Sequence, residues 1–167
     1  MTDRVQRNLE LAQKYYLAYA HGAERGHIDF WSDEDWAEEA TIFHPRLGER
    51  VRSASDSGKV TPADATDEMN LIWKGIPDFH ADNFEPFPTE HGCAWRVRYS
   101  GHTLDGEFVA QWEGGFIWTD EDGRITRYEF YEDYDHHDKI IRAVVGTSSA
   151  EFNFEEYGQK IEENRKA

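Results

Sequence analysis

Between Arg124 and Tyr134 the chain alternates in a way that gathers ionisable side chains on one strand. By the two-residue period of a strand, Ile125, Arg127, Glu129, Tyr131 and Asp133 share one face, and Thr126, Tyr128, Phe130 and Glu132 share the other. A carboxylate held in an aromatic cavity is raised toward neutrality by desolvation, which suits a general acid or base. Glu129 and Asp133 are the carboxylates of that face. Tyr131 could hydrogen-bond a substrate oxygen, and Arg127 inside a cavity would anchor a carboxylate or phenolate. The structural alternatives stay open: Asp133 as the cap of the following turn, Arg127 as a solvated or paired charge, Glu129 and Tyr131 as sheet surface or a dimer contact. His102 is a candidate proton shuttle or a rim histidine bonded to backbone, and His44 and His80 beside expected strand ends are similar candidates.

Several chemistries have no matching pattern. No two of His44, His80 and His102 have a short ligand spacing, and the adjacent His136 and His137 point in different directions in a helix or a strand, so no metal site is expected. There is no Gly-x-Ser-x-Gly elbow, Walker phosphate loop or dinucleotide fingerprint. The lone Cys93 excludes an internal disulfide and fits a reducing compartment. With 18 basic against 34 acidic residues the net charge is −16, which makes nucleic acid and anionic membrane poor partners. No apolar run reaches the roughly 20 residues of a membrane span and no signal-peptide pattern opens the chain, so a cytoplasmic protein is expected. A mean hydropathy of −0.84 accompanies 14% aromatic residues, a combination that fits either a ring-built core or a cavity lined with rings.

The elements that must position these groups follow from period and punctuation. Val5 to Ala20 has helical spacing and ends at His21-Gly22. A second helix is expected from about Ile28 to Ala40, followed by a short strand at Thr41 to His44 stopped by Pro45. Arg46 to Thr61 reads as a long loop, and Pro62 opens a third helix that runs through Trp73 and closes at Gly75-Ile76-Pro77. Phe79 to Phe87, Cys93 to Thr103, Glu107 to Trp118 and Arg124 to Tyr134 are strands joined by hairpin connections, and Asp138 to Val145 is a last helix. Phe108, Ala110, Trp112, Phe116 and Trp118 alternate, and this apolar face is expected to back onto the helices and the pocket. Tyr15, Tyr19, Trp31 and Trp73 are helix-borne rings able to complete its wall, with core packing as the alternative for every ring. One domain over residues 1–146 and a C-terminal amphipathic extension over 147–167 result, in an α+β class.

The strings Trp36-Ala37-Glu38-Glu39-Ala40-Thr41-Ile42-Phe43-His44-Pro45, Ile76-Pro77-Asp78-Phe79, Ser100-Gly101-His102-Thr103 before Gly106-Glu107-Phe108, and Asp122-Gly123-Arg124-Ile125 followed by Asp133 stand in the order seen in SnoaL-like proteins of the nuclear-transport-factor-2-like superfamily. The chain resembles that family over nearly its whole length. The resemblance implies a cone: a curved antiparallel sheet with helices packed on its concave face, enclosing a pocket, commonly in a homodimer. It implies no metal or organic cofactor. It makes Asp133 the acid/base carboxylate, helped by Glu129, with Tyr131, His102 and Arg127 stabilising developing oxygen charge, and Tyr19, Trp31, His44, Trp73, His80, Trp112 and Phe116 lining the substrate. The implied function is a cofactor-independent lyase or isomerase acting on a small aromatic or polyketide-like molecule, of cyclase, dehydratase or formaldehyde-releasing aryl-propanoid lyase type. The alternative is a non-catalytic hydrophobic-ligand-binding or dimerisation protein of the same fold.

Overall fold

The structure, a computed structural model, describes residues 1–20, 31–45, 48–53, 70–146 and 163. Helix α1 (Asp3–Tyr19) starts where Thr2 accepts a hydrogen bond from the Val5 amide. Its buried residues Asn8, Leu11, Ala12, Tyr15 and Ala18 fall at steps of three and four, which makes one stripe, and the stripe lies on the sheet. A single turn at Asp33–Asp35 then leads into strand β1 (Trp36–His44). The helix expected over 28–40 is therefore not formed in its described part. Trp36, Ala40 and Ile42 are buried, and pairing of this segment with the last strand overrides the helical preference of its Ala and Glu residues.

Strand β2 (Gly48–Ser53) pairs antiparallel with β1, so part of the expected 46–61 loop is an edge strand, and the remainder lies outside the described residues. Of the third expected helix, residues 70–75 are described and are helical. The four expected strands are β3 (His80–Thr89), β4 (Gly92–His102), β5 (Phe108–Thr119) and β6 (Ile125–Glu132), and the last helix is α2 (Tyr134–Val145). The sheet order is β2-β1-β6-β5-β4-β3. Every neighbouring pair is antiparallel except β1 with β6, which is parallel, so the sheet is mixed rather than wholly antiparallel. Register shifts at Trp36/Thr41, Ala81/Asn83 and Trp118/Thr119 bend the strands, as bulges do, and α1 packs on β3 and β4. The architecture is α+β with helices on one face of a curved sheet.

The core beneath α1 is aromatic. Tyr15 lies 5.1 Å from Trp95 and 5.5 Å from Trp31, ring centre to ring centre, and Trp31 in turn meets Trp36 edge-on at 5.5 Å. The Trp31 indole donates to the Leu11 carbonyl at 2.9 Å, and the Trp73 indole to the Phe79 carbonyl at 2.8 Å.

Asp35 joins the turn before β1 to α1. It is 5% exposed and accepts from Arg7 at 2.9 Å, Lys14 at 2.6 Å and the Ser32 amide at 2.7 Å. Burial opposes its charge, and the hydrogen bonds from Lys14 and Ser32 outweigh it, holding the carboxyl below its ordinary 3.8. A depressed folded-state pKa contributes stability that is present above 3.8 and lost as the pH falls below it. Asp35→Asn is expected to cost about 1–2 kcal/mol at pH 7, less than for fully buried partners because Arg7 and Lys14 reach water. Urea denaturation at pH 7 and pH 3 measures it. An equal difference between variant and wild type at both pH values contradicts the assignment.

Candidate active site

Besides Asp35, the carboxylate buried among the described residues is Glu113, in the middle of β5. It is 6% exposed. Along β5, Val109, Gln111, Glu113 and Ile117 are buried on one face, whereas Phe108, Trp112, Phe116 and Trp118 lie on the other and are exposed. The expected facing of this strand is inverted, and Phe108, Ala110, Trp112, Phe116 and Trp118 do not back onto the helices. At Gly115 a Cβ would stand 2.2 Å from the Trp95 ring, so this face of β5 carries no side chain where the Trp95 ring of β4 lies.

Three phenols surround Glu113. Tyr15 of α1 donates to its Oε1 at 2.5 Å, and Tyr99 of β4 donates to the Tyr15 hydroxyl at 3.1 Å. Tyr128 of β6 also hydrogen-bonds Tyr15. Tyr15 has one proton and gives it to Glu113, so Tyr99 and Tyr128 both act as donors toward it. Burial, and after it the charge of Glu113, pushes Tyr15, Tyr99 and Tyr128 well above the ordinary value of 10.0. The phenols keep their protons. Helix α1 and strands β4, β5 and β6 each contribute one member, so the cluster exists only in the folded chain.

Glu132 joins from β6. It lies directly opposite Glu113 in the β5–β6 register, and directly opposed residues of an antiparallel pair point to the same face with Cβ atoms about 4.5–5.5 Å apart. Its charge, like that of Glu113, bears on Tyr128.

The groups singled out in the sequence are placed differently. Arg127, Glu129 and Tyr131 come together as expected, but on the outer face: Arg127 donates to Glu129 at 2.6 Å and to Glu49 at 2.8 Å, and Tyr131 donates to Glu129 at 2.8 Å. The bulge at Trp118/Thr119 keeps Ile125 buried while its strand-mates from Arg127 onward turn out. Asp133 is partly buried at the N-cap of α2, where its side chain makes no capping hydrogen bond. Its amide donates to the Trp112 carbonyl at 3.0 Å, which continues the β5–β6 register. His102 ends β4 on the outer face against Asp78 at 2.7 Å, and His80 Nδ1 meets the Asp78 carbonyl at 2.7 Å. Burial opposes the Asp78 charge, and the hydrogen bonds from His102 offset it, holding that carboxyl below the usual range. His102 and Asp133 are thus not brought together across the sheet.

Trp112 and Phe116 are on the outer face as well, the first under the Arg96 guanidinium at 5.1 Å and the second 5.8 Å from Tyr131. Trp31 and Trp73 are core residues with satisfied indoles. Tyr19 packs edge-on to Tyr99 at 5.8 Å and borders the phenol cluster. His44 closes β1, paired with Gly48. The residues missed in the sequence are Glu113, Tyr99, Tyr128 and Glu132. The one signal for them was that Gln111 and Glu113 occupy the alternate phase to the rings of β5.

Among the described residues, no three His, Cys, Asp or Glu side chains converge as a cation site, and no helix is long and apolar enough to cross a membrane.

No family model matches the sequence, and no curated protein matches it. Solved structures do match. A candidate SnoaL-like polyketide cyclase from Jannaschia aligns with a TM-score of 0.53 at 11% identity, covering 88% of this chain and 97% of the other. A candidate polyketide cyclase from Acidithiobacillus ferrooxidans gives 0.51 at 13%, covering 86% and 98%. A phenazine biosynthesis-related protein from Pseudomonas aeruginosa gives 0.51 at 16%, covering 85% and 87%. At these identities the likeness concerns the backbone, and it extends over most of each chain. The chain shares the fold of these structures, a nuclear-transport-factor-2-like fold.

Proposed function

We propose that this chain is a small-molecule-processing enzyme of the acid/base type, a lyase or isomerase acting on a small aromatic or polyketide-like compound, with Glu113 as its proton-carrying carboxylate. The observation that carries this reading is the buried chain from Tyr99 and Tyr128 through Tyr15 to Glu113. It sets three phenolic hydroxyls in line with one carboxyl group under a helix, an arrangement along which a proton can be passed. The candidate cyclases among the structural neighbours are consistent with it.

The test is carbon-acid exchange. In ²H₂O, the protein is expected to accelerate exchange of the methyl hydrogens of acetophenone, and exhaustive chelation and dialysis leave the rate unchanged. No acceleration over buffer overturns the acid/base reading in favour of the ligand-binding alternative. Loss on chelation restored by a divalent ion overturns the metal-independent one.

The outer face supports a second copy of the chain as partner. Trp112, Phe116, Trp118 and Tyr131 are 36–41% exposed there, a band of rings on one side of a sheet. Arg96, Arg98 and Arg127 stand on the same face with Glu85, Asp82, Glu49 and Glu129, so local charge is nearly balanced in a chain of net charge −16. Elsewhere two copies repel. The amphipathic tail from Phe152 to Ile161, the other expected interface element, lies outside the described residues. Light scattering at micromolar concentration is expected to give twice the chain mass. Trp118→Glu should return the monomer mass, and a monomeric wild type contradicts the proposal.

A further inference from the structure

Where β4 turns into β5 the chain forms one wall of a cleft, and α2 with the end of the 70–75 helix forms the other. The cleft has a volume of about 350 Å³ and shares no residue with the buried phenol cluster. Its turn wall is fixed from within. The Thr103 hydroxyl donates to Asp105 and accepts from the Glu107 amide at 3.0 Å, the Thr103 amide donates to the Glu107 carbonyl at 2.9 Å, and Gly106 takes the positive φ of 87° that the turn needs. Asp105 and Glu107 are thus presented at defined places. On the helical side, a Cβ at Gly75 would stand 2.5 Å from the Ala143 carbonyl oxygen, so the two helices meet backbone to backbone and these small residues leave the cleft its room.

Charge is divided between the two walls. Helix α2 supplies Lys139 and Arg142, and the turn supplies Asp105 and Glu107. Lys139 Nζ meets Glu107 Oε1 at 3.4 Å from wall to wall, longer than a charge-assisted hydrogen bond, and both side chains are more than half exposed. Arg142 takes Asp138 of its own helix at 2.9 Å and is itself 61% exposed. Ion pairs this exposed gain little from each other, so their charges stay open to a further partner. Leu104 stands beside them on the turn, 77% exposed, an apolar side chain left in water.

Two cations and two carboxylates cancel, so a simple anion or a simple cation meets as much repulsion as attraction. A ligand that carries both charges is attracted at both ends. An α-amino acid holds its ammonium and carboxylate about 3 Å apart, because both sit on one carbon. That is close to the 3.4 Å of the Lys139–Glu107 pair. Laid head to tail against the pair, its ammonium faces Glu107 with Asp105 on the same wall, and its carboxylate faces Lys139 with Arg142 on the other. We propose that this cleft binds a free α-amino acid with an apolar side chain, which Leu104 covers while Lys139 and Glu107 hold the two charges. The site is separate from the acid/base site, and either can fail without the other.

Three compounds with one isobutyl group test it at pH 7 by ligand-observed NMR titration: L-leucine, 4-methylpentanoate, which lacks the ammonium, and 3-methylbutylamine, which lacks the carboxylate. The wild type is expected to bind leucine at least about fivefold more tightly than either of the others. Glu107→Gln and Lys139→Gln exchange exposed side chains, so the urea midpoint should stay in place while each weakens leucine at least about threefold. The two variants should part on the acid. Lys139→Gln weakens 4-methylpentanoate, and Glu107→Gln, which removes a repulsion, does not. Leu104→Ser should reduce the advantage of leucine over glycine, since glycine has no side chain for Leu104 to cover. Leucine binding no tighter than both single-charge compounds overturns the proposal. So does a leucine affinity indifferent to both Glu107→Gln and Lys139→Gln, or no binding of leucine to millimolar concentration.

Discussion

Glu113→Gln is expected to lower carbon-acid exchange about 10²-fold or more while the chain stays folded, because removing a positioned proton-transfer group typically costs that much. The substitution is nearly isosteric, and the new amide oxygen still accepts from Tyr15, so the phenol cluster keeps its hydroxyl acceptor. What it loses is the ability to take and return a proton near neutral pH. Binding of a neutral ketone should therefore suffer less than rate, and the loss should fall on kcat rather than KM. The rival is Asp133→Asn, which tests the partly buried carboxylate at the end of β6. Glu129→Gln, on the outer face, is the control. If Asp133→Asn abolishes exchange and Glu113→Gln does not, the proton carrier is the carboxylate between β6 and α2. If all three keep full rate, the acid/base assignment to these strands fails.

The second large effect is on stability. Gly115→Ala is expected to cost about 3 kcal/mol, at the upper end of what overpacking a core does. The new methyl would stand 2.2 Å from two carbons of the Trp95 ring, and that ring is locked by Tyr15 at 5.1 Å and by Tyr128 stacked at 6.2 Å. Neither neighbour can give way alone. Gly114→Ala is the matched comparison: a Cβ there finds its nearest neighbour at 3.8 Å, an ordinary contact, so the loss should be small. Urea midpoints of the two variants read the difference directly. Equal midpoints would mean that the indole moves freely, and that its packing does not require a glycine at this place of the inward face.

That inward face marks where sequence reading stops. The hairpin strands after Phe79 were legible because turn residues punctuate them and each run alternates. The helix at the start was legible from the spacing of Val5, Leu9, Ala12, Tyr16 and Ala20, although the stripe it buries is Asn8, Leu11, Ala12, Tyr15 and Ala18. The segment before His44 was not, since Ala37, Glu38, Glu39 and Ala40 favour a helix locally and form a strand only through the distant partner β6. In β5 the period was read correctly and its facing was not. Apolar residues usually point inward, and here Trp112, Phe116 and Trp118 point out while Gln111 and Glu113 point in. A period of two fixes which residues travel together and leaves open which way they face. The same limit applies to β6, where Arg127, Glu129 and Tyr131 were rightly grouped and lie opposite the buried cluster. Tyr15, Tyr99, Tyr128 and Glu113 come from four elements, and no spacing in one dimension signals their meeting.

The parallel pairing of β1 with β6 has a consequence for the order in which the chain can assemble. Strands β3 to β6 follow one another as antiparallel neighbours and can zip up by short closures. The β1–β2 hairpin has no other place in the sheet than beside β6, the last of the described strands. During synthesis it must wait, its edge unfilled, until β6 has emerged. Assembly of the sheet is then an end-to-end event, and a chain released before β6 would hold a hairpin with nowhere to dock.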